Sequence, residues 1–253
     1  MYIPTNLTNK PKIIIFSGAG LDAPSGIKTF RGTDGLWNNY KISEICDETT
    51  WKKNYKQVHE FYNQRRKELK DKTPNKAHLI IKEIIEKYGE DNVYNITMNI
   101  SDFFERLNTP VLHLHGELTK MECKKCNHNW EIGYNEYKIE EGCSNCKDTK
   151  NVKPKVVFFK GQAPMYTYYK RALEYLSNRN SIIIVIGTQG NVIPISKQIE
   201  FYNCYKILCN LNKEKYINEK QFSEIYYENI ETAMPKIKEK IDFFVKNKWD
   251  NKC

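Results

Sequence analysis

The chain has 253 residues, of which 40% are hydrophobic and 13% aromatic, and this composition indicates a globular fold. No run of about eighteen apolar residues occurs, which excludes a membrane-spanning helix, and the polar residues 1–10 predict no signal sequence and therefore a reducing, cytoplasmic compartment. The net charge of +9 comes from lysines scattered along the chain, so we do not expect nucleic acid as a partner.

Short apolar runs alternate with helical stretches along most of the chain. Several of the apolar runs end in glycine or in a small polar residue, as buried parallel strands do. The predicted strands cover residues 12–17, 93–97, 110–114, 156–159, 181–186 and 206–211, and the predicted helices cover 55–70, 75–88, 166–176, 194–202 and 232–246. This alternation predicts an α/β fold, a Rossmann-type parallel sheet with helices on both faces, which binds ligands at the carboxyl ends of its strands.

Residues from about 120 to 153 break this alternation. The stretch is rich in Cys, Lys, Glu and Asn, and it contains the pairs Cys123-x-x-Cys126 and Cys143-x-x-Cys146. Two such pairs at this spacing are typical of a zinc site with four thiolate ligands. Two disulfides or four thiols without metal are the alternatives. We predict one domain over residues 1–253, with a small zinc-ribbon-like module inserted at about 120–153 and held together by the metal.

Glycine-rich turns follow two of the predicted strands. Gly18-Ala19-Gly20 comes after the first strand, and Gly187-Thr188-Gln189-Gly190 comes after the fifth. Turns without side chains allow the main chain to approach a pyrophosphate closely, and two of them at one sheet edge favour a nucleotide crevice. A tight connection between strand and helix that binds no ligand is the alternative for either turn alone.

The segment 18–32 resembles the nucleotide loop of the sirtuins, which are NAD-dependent protein deacylases. Thr97-Met98-Asn99-Ile100, Leu114-His115-Gly116, the four cysteines and Gly187-Thr188 occur in the family's order, so the resemblance covers about residues 11–245. Asp34-Gly35-Leu36-Trp37 and the stretch 61–66 are most similar to the class III branch, which removes succinyl and malonyl groups from lysine.

The resemblance implies a reaction with NAD and acylated lysine side chains of proteins. Nicotinamide is released and the acyl group is transferred to ADP-ribose. His115 takes the position of the general base, a role that suits an imidazole near neutral pH, and Asn99 that of the residue contacting the ribose and a structural water. The implied contacts to NAD are Gly18, Ala19, Gly20, Asp22, Thr29, Phe30, Arg31, Trp37, Met98, Asn99, Ser101, Gly187, Thr188, Gln189 and Asn210.

Two pairs of residues take substrate-binding positions of the family. Tyr62 and Arg65 are three residues apart and would share one helix face, where they could grip the carboxylate of an acidic acyl group. Without the resemblance, a buried Tyr62 and a solvated Arg65 are the alternative. Val157 and Phe159 lie in the stretch that resembles the strand pairing with the main chain of the substrate.

Several positions depart from the family's pattern around the cofactor. The stretch that usually reads Gln-Asn-Ile-Asp is Met98-Asn99-Ile100-Ser101 here, so a serine stands where the family has the aspartate that holds the nicotinamide amide. Conversely, Asp22 stands where the family has a serine, and Gln189 replaces another serine. Asp22 would repel a pyrophosphate unless it caps the following helix.

Three functions remain compatible with these residues. The first is a working NAD-dependent lysine deacylase that prefers acidic acyl groups, which His115, Tyr62 and Arg65 favour. The second is a protein that binds NAD or ADP-ribose with weak or no deacylation. The third is another NAD-consuming enzyme, an ADP-ribosyltransferase or NAD hydrolase. Ser101 and Met98 favour the second and third.

Overall fold

A parallel sheet of six strands forms the centre of the computed structural model, which describes residues 10–28 and 41–249. The predicted cofactor positions Thr29, Phe30, Arg31 and Trp37 lie outside the described residues. In chain order the strands of both sheets are β1 (Ile13–Ser17), β2 (Val93–Thr97), β3 (Leu112–His113), β4 (Gly116–Cys123), β5 (Asn129–Glu131), β6 (Val152–Val156), β7 (Ile182–Ile186), β8 (Tyr205–Asn210) and β9 (Glu224–Tyr227).

The parallel sheet has the order β3-β2-β1-β7-β8-β9. Strands β2 and β3 extend the sheet on one side of β1, and β7, β8 and β9 extend it on the other side, so the strand order reverses between β1 and β7. Ser17, the last residue of β1, pairs in register with Thr97 of β2 and with Ile186 of β7. The three strands therefore end at the same level. In doubly wound sheets the crevice at such a switch point is where ligands bind.

Helices cover both faces of this sheet because alternate residues of each strand point to opposite sides. Ile13 and Ile15 pack with the helices of one face, while Ile14 and Phe16 pack with those of the other. The helices within the described residues are α1 (Ala19–Asp22), α2 (Ile42–Ile45), α3 (Tyr55–Lys70), α4 (Lys76–Tyr88), α5 (Phe103–Arg106), α6 (Tyr166–Glu174), α7 (Ile195–Ile199) and α8 (Ile230–Lys248). Helices α4 and α8 lie on the first face, α6 and α7 on the second. This confirms the predicted α/β fold.

A second, antiparallel sheet of three strands has the order β5-β4-β6 and carries the four cysteines at and beyond one end of β4. The predicted strand over 156–159 was wrong in position and in partner. The strand there is Val152–Val156, and it pairs with β4 rather than joining the parallel sheet. Beyond Val156 the chain turns to the segment 46–48, where Phe159 forms an isolated parallel bridge with Asp47. The division into one domain with an inserted module stays a prediction.

The other predicted elements differ from the structure mainly at their ends. Helix α3 covers the predicted 55–70, and α4 begins one residue later than predicted, after Asn75 caps its first turn through Ala77 and His78. Helix α8 runs from residue 230 to 248, beyond the predicted 232–246. Strands β4, β5 and β9 were not predicted from the sequence. In the part of the chain that the structure describes, no helix combines the length and apolar character needed to cross a bilayer.

Candidate active site and cysteine cluster

The two glycine turns pack directly against each other at the carboxyl ends of β1 and β7. The Gly20 amide donates to the Gly187 carbonyl over 2.9 Å, and the Gly18 amide donates to Ile186 over 2.9 Å. A Cβ on Gly20 would lie 2.5 Å from the Gly187 Cα, closer than real Cβ contacts come. Gly187 has a φ of +59°, which favours glycine. The close packing of the two turns is therefore sufficient by itself to require glycine at positions 20 and 187, whether or not a ligand binds there.

Polar side chains at the ends of neighbouring strands tie these turns to the sheet. The Asn99 side chain donates to the Gly18 carbonyl over 3.0 Å, and its main-chain amide donates to Thr97 Oγ1 over 3.1 Å. On the other side, Asn210 accepts from the Thr188 amide and donates to the Thr188 carbonyl, each over 3.0 Å. The edge of the crevice is thus held by amides whose partners are main-chain groups of the glycine turns.

His115 is partly buried just beyond β3 and has one hydrogen bond on each ring nitrogen. Nδ1 lies 3.1 Å from the Met98 carbonyl oxygen, and Nε2 lies 2.9 Å from the Tyr166 hydroxyl. Because a carbonyl only accepts, Nδ1 carries the ring proton. Nε2 then carries no proton, and its lone pair accepts a hydrogen bond from the Tyr166 hydroxyl. Burial lowers the pKa of His115, partly offset by the bond to Met98. The ring is therefore a neutral base near pH 7.

His113, two residues earlier, is buried in a different environment. Its Nδ1 lies 2.7 Å from the Asn99 carbonyl and its Nε2 lies 3.0 Å from a Glu105 carboxylate oxygen, so both nitrogens donate. Burial alone would lower the pKa of His113, but the hydrogen bond and charge of Glu105 outweigh burial and raise it. His113 thus serves as a structural cation beneath Asn99 rather than as a base.

Asp22 precedes the short 3-10 helix Ala23–Ser25, but its side chain makes no capping hydrogen bond there. The condition under which we expected Asp22 to tolerate a pyrophosphate is therefore not met. The Asp22 carboxylate is buried, and it accepts a hydrogen bond from Ser101 Oγ over 2.6 Å. Its other oxygen lies 3.2 Å from Nε2 of His78, a buried residue of α4. Two of the positions at which the chain departs from the family's pattern, Asp22 and Ser101, are therefore in direct contact with each other.

Three further predicted cofactor positions, Met98, Ala19 and Gln189, follow the ends of β2, β1 and β7. The end of the Met98 side chain lies 2.9 Å from where a Cβ on Gly18 would stand, so it packs against the first glycine turn. Ala19 is half-buried at the start of α1, and the half-buried Gln189 accepts from Asn191 over 3.5 Å. The roles of these residues in cofactor binding stay predictions.

Tyr62 and Arg65 lie on α3 with partners from this chain. The Tyr62 ring is buried and stacks on Phe158, and its hydroxyl donates to the Cys46 sulfur over 3.4 Å. Arg65 pairs with Glu68 at 2.5 Å, with only 12% of its side chain exposed. Arg65 is therefore paired, unlike the solvated residue of the alternative, and its proposed carboxylate partner would have to compete with Glu68.

The two residues expected to pair with substrate main chain are themselves bonded within the chain. The Val157 amide donates to the His115 carbonyl over 2.8 Å, and the Phe159 amide donates to Cys46 over 2.9 Å. The Phe159 carbonyl accepts from the main-chain amide of Glu48 over 3.0 Å. The segment is thus anchored beside His115, and its pairing with a substrate stays a prediction.

The four cysteines come together in two turns of the same shape. In each turn the amide four residues after the first cysteine, that of Asn127 or Lys147, donates back to that cysteine's carbonyl, and both residues have a positive φ. All four sulfurs lie within 4.8 Å of one another. Sulfur pairs are 3.7 Å apart for Cys123 with Cys146 and for Cys126 with Cys143.

These distances fit zinc. Four sulfurs at about 2.3 Å from a tetrahedral zinc stand about 3.8 Å apart, far beyond the S–S bond of about 2 Å in a disulfide. The cluster can therefore hold one zinc ion with protein ligands at all four positions, which leaves none for a substrate.

Two residues of the site were not found from the sequence. Tyr166 was predicted only as the start of a helix, and nothing in its neighbours indicates that it contacts His115. His78 had no recognised setting, although Asn75 three residues earlier is typical of a helix start. There each of the two side chains accepts from the main-chain amide of the other residue. Contacts such as these join segments far apart in the chain, so they appear only once the fold is known.

Comparisons with known proteins agree with this geometry. The model of the Sir2 family matches residues 18–194. A Campylobacter jejuni (strain RM1221) protein named NAD-dependent protein deacylase is 41% identical over 236 residues, covering 93% of this chain and 97% of its own. A Helicobacter hepaticus protein of the same name is 37% identical and covers 92% of this chain and 98% of its own.

Solved structures show the same fold. A mutant Sir2 homologue in complex with ADP-ribose is 27% identical, with a TM-score of 0.78 over 94% of this chain and 95% of its own. A Sir2 homologue in complex with NAD is 28% identical, with a TM-score of 0.76 over 93% of this chain and 91% of its own. Together with the family match over more than half of the chain, these likenesses show that the chain belongs to the Sir2 family.

Proposed function

We propose that the protein is an NAD-dependent protein-lysine deacylase that transfers the acyl group of a modified lysine to ADP-ribose and releases nicotinamide. The observation that carries this proposal is the state of His115, a neutral imidazole with its Nε2 lone pair directed away from its Met98 anchor. It stands in a chain that retains the family's glycine turns and is 41% identical to a protein named for this activity.

The residues of the crevice fit the proposed co-substrate. The tightly packed glycine turns leave main chain rather than side chains at the switch point, where an anionic pyrophosphate can approach. NAD would supply the ribose that receives the acyl group. Asn99 and Asn210 are held by the turns on either side and would contact the two sugars, as the resemblance implies.

The chain's own chemistry centres on one proton. His115 Nε2 would accept the proton of a ribose hydroxyl, and the Met98 carbonyl would stabilise the imidazolium that results because it accepts from Nδ1–H. Tyr166 would have to withdraw its hydroxyl from Nε2 before a sugar could use that lone pair. The partly buried ring is thus deprotonated at Nε2 near neutral pH and held in one tautomer by the Met98 carbonyl.

The acyl group is a finer question, and we propose acidic acyl groups as preferred substrates. Tyr62 and Arg65 support this proposal because they are three residues apart on α3 and share one of its faces, where a phenol and a guanidinium could bind one carboxylate. The ion pair between Arg65 and Glu68 opposes it. If Arg65 does not bind the acyl carboxylate, the proposed function is deacylation without a preference for acidic acyl groups.

The remaining expectations follow from the cysteine cluster. We propose one structural zinc ion at Cys123, Cys126, Cys143 and Cys146, supported by sulfur spacings of 3.7 Å. Four metal-bound thiolates suit a reducing compartment, so the cytoplasm stays the proposed location. Acylated lysine side chains of proteins are the proposed partners. We do not expect the protein to bind nucleic acid.

Incubation of the protein with NAD and a succinyl-lysine or acetyl-lysine peptide tests the function. The proposal expects free lysine, nicotinamide and acyl-ADP-ribose in equal amounts, and no nicotinamide without an acylated peptide. Loss of NAD in the absence of peptide would instead identify an NAD hydrolase or ADP-ribosyltransferase. Binding of NAD with no product on any acyl peptide would identify a binding protein without deacylation.

A further inference from the structure

Asp22 and Ser101 have exchanged residue types relative to the sirtuin pattern. The family carries a serine at the first position and an aspartate at the second, whereas this chain carries the reverse. The two side chains are 79 residues apart in the chain, and they meet in a hydrogen bond of 2.6 Å between Ser101 Oγ and Asp22 Oδ2. The exchanged serine and carboxylate are therefore in direct contact in this chain.

The surroundings of Asp22 require a carboxylate at this position. The main-chain amide of Asn75 donates to Nδ1 of His78 over 3.2 Å, so Nδ1 carries no proton. Nε2 of His78 therefore carries the ring proton and donates it to Asp22 Oδ1. Both neighbours of Asp22 are donors, and only a side chain with two acceptor oxygens satisfies both of them.

The hydroxyl proton of Ser101 is consequently committed to Asp22. A free serine hydroxyl can donate or accept, but Ser101 Oγ can offer only lone pairs to a further partner. A carboxamide presents N–H donors, which match these lone pairs, whereas a carboxylate presents only acceptors, which do not. The neighbouring acid, Asp102, has partners elsewhere: it pairs with Arg106 at 2.8 Å and accepts from the Tyr134 hydroxyl.

We propose that Asp22 is a positioning residue that makes Ser101 an obligate acceptor for the carboxamide of nicotinamide, and that the pair as a unit replaces the single aspartate of the family. This inference rests on the proposed function in placing nicotinamide at Ser101. It assigns to Asp22 a role in discriminating nicotinamide from nicotinic acid, rather than contact with the pyrophosphate.

Exchange of the two residues tests the pairing without any need for turnover. The variants are Asp22→Ser, Ser101→Asp and the double exchange, and the readout is the midpoint of thermal unfolding without ligand. Asp22→Ser leaves His78 without its carboxylate, and Ser101→Asp places two carboxylates together, so each should lower the midpoint by roughly 5–10 °C. The double exchange should regain more than half of the summed loss. A double variant no more stable than the worse single variant would overturn the pairing.

Discrimination between nicotinamide and nicotinic acid tests the positioning role. Binding of each compound is measured by its shift of the unfolding midpoint, and in active variants also by inhibition. Asp22→Asn presents an amide to two donors, and Ser101→Ala removes the acceptor while keeping the Asp22–His78 contact. Each should weaken nicotinamide binding roughly tenfold and reduce its preference over nicotinic acid, while the double exchange keeps that preference.

The outcomes separate this inference from the proposed function. A merely structural role of Asp22 would weaken both compounds equally and leave their ratio unchanged, which would overturn the inference. A wild-type protein that discriminates between the two compounds through this pair but deacylates no peptide would leave the inference standing and remove the proposed function.

Discussion

The Tyr166 hydroxyl lies 2.9 Å from Nε2 of His115 and donates a hydrogen bond to the lone pair that the proposed base needs. Burial raises the pKa of Tyr166, so the phenol stays protonated and remains a donor. The hydrogen bond stabilises the neutral form of the imidazole, in the same direction as the burial that lowers the pKa of His115. The His115 ring is thus kept neutral, and its Nε2 is covered by the Tyr166 hydroxyl.

Replacement of Tyr166 by phenylalanine should move the acid limb of the kcat/KM profile to higher pH. The base works only when deprotonated, and loss of a hydrogen bond to its neutral form raises its pKa, so activity begins to fall at a higher pH as the solution is acidified. At pH 8 the change should stay within about tenfold. Tyr168→Phe, at an exposed neighbour on α6, is the matched control. An unchanged acid limb would contradict the contact.

His115→Ala should reduce deacylation by a factor of about 10² to 10⁴, the usual contribution of a positioned general base. Because the ring makes side-chain bonds only to Met98 and Tyr166 among the described residues, zinc content and the unfolding midpoint should change little. Turnover of acyl peptide and bound zinc are measured on the same preparation. A variant that retains full activity would exclude His115 as the base.

Glu68→Gln should raise desuccinylation relative to deacetylation by a few-fold if Arg65 binds the acyl carboxylate. Glu68 occupies the Arg65 guanidinium at 2.5 Å, and the pair is partly exposed, so its release corresponds to up to about 1 kcal/mol. The measurement is the ratio of kcat/KM for matched succinyl and acetyl peptides. Glu60→Gln, at an exposed position on the same helix, is the control.

The double variant Tyr62→Phe with Arg65→Met provides the opposite test. It should depress desuccinylation far more than deacetylation, because it removes both proposed donors to the carboxylate. Equal losses on both peptides would mean that the pair acts through packing of α3 and does not select the acyl group.

Glu105→Gln should lower stability chiefly in mildly acid solution. The folded pKa of Glu105 lies below its ordinary 4.5, because the bond and charge of His113 outweigh burial, so its contribution is lost as the pH falls through that lowered value. The folded pKa of His113 lies above 6.5, so its contribution is complete below 6.5 and is lost as the pH rises through the raised value. The ion pair is therefore complete between about pH 4.5 and 6.5.

The expected loss in free energy of unfolding at pH 5.5 is about 1 kcal/mol, a modest figure because 41% of the Glu105 side chain is exposed. Urea unfolding at pH 5.5 and at pH 9 measures it, with Glu86→Gln as the control at an exposed pair. A loss that is larger at pH 9 would have the wrong sign for this ion pair.

Removal of zinc should unfold the small sheet rather than block a chemical step. The four sulfurs satisfy all ligand positions, and the apolar cluster around them is small, with Met121, Tyr137 and Val152 among its buried members. A strong chelator should release about one zinc per chain and make four thiols reactive. Activity should be lost in step with the structure. Full activity after complete loss of zinc would contradict this role.

The sequence alone determined the class of fold and most of its elements, because these follow from local patterns. The alternation of apolar runs and helical stretches predicts the parallel sheet, glycine after β1 and β7 marks its switch point, and the spacing of Cys123 and its partners predicts the metal cluster. Each of these signals lies within about thirty residues, the range over which side-chain periodicity, turn chemistry and ligand spacing act.

Only the tertiary structure decided which distant side chains meet. It joined Tyr166 to His115 and Asp22 to Ser101, it assigned the strand before Val156 to the small sheet, and it paired Arg65 with Glu68. Such contacts depend on the register and packing of elements that are far apart in the chain, and no local pattern specifies them. In this protein the protonation of the proposed base and the hydrogen-bonding capacity of Ser101 both depend on contacts of this kind.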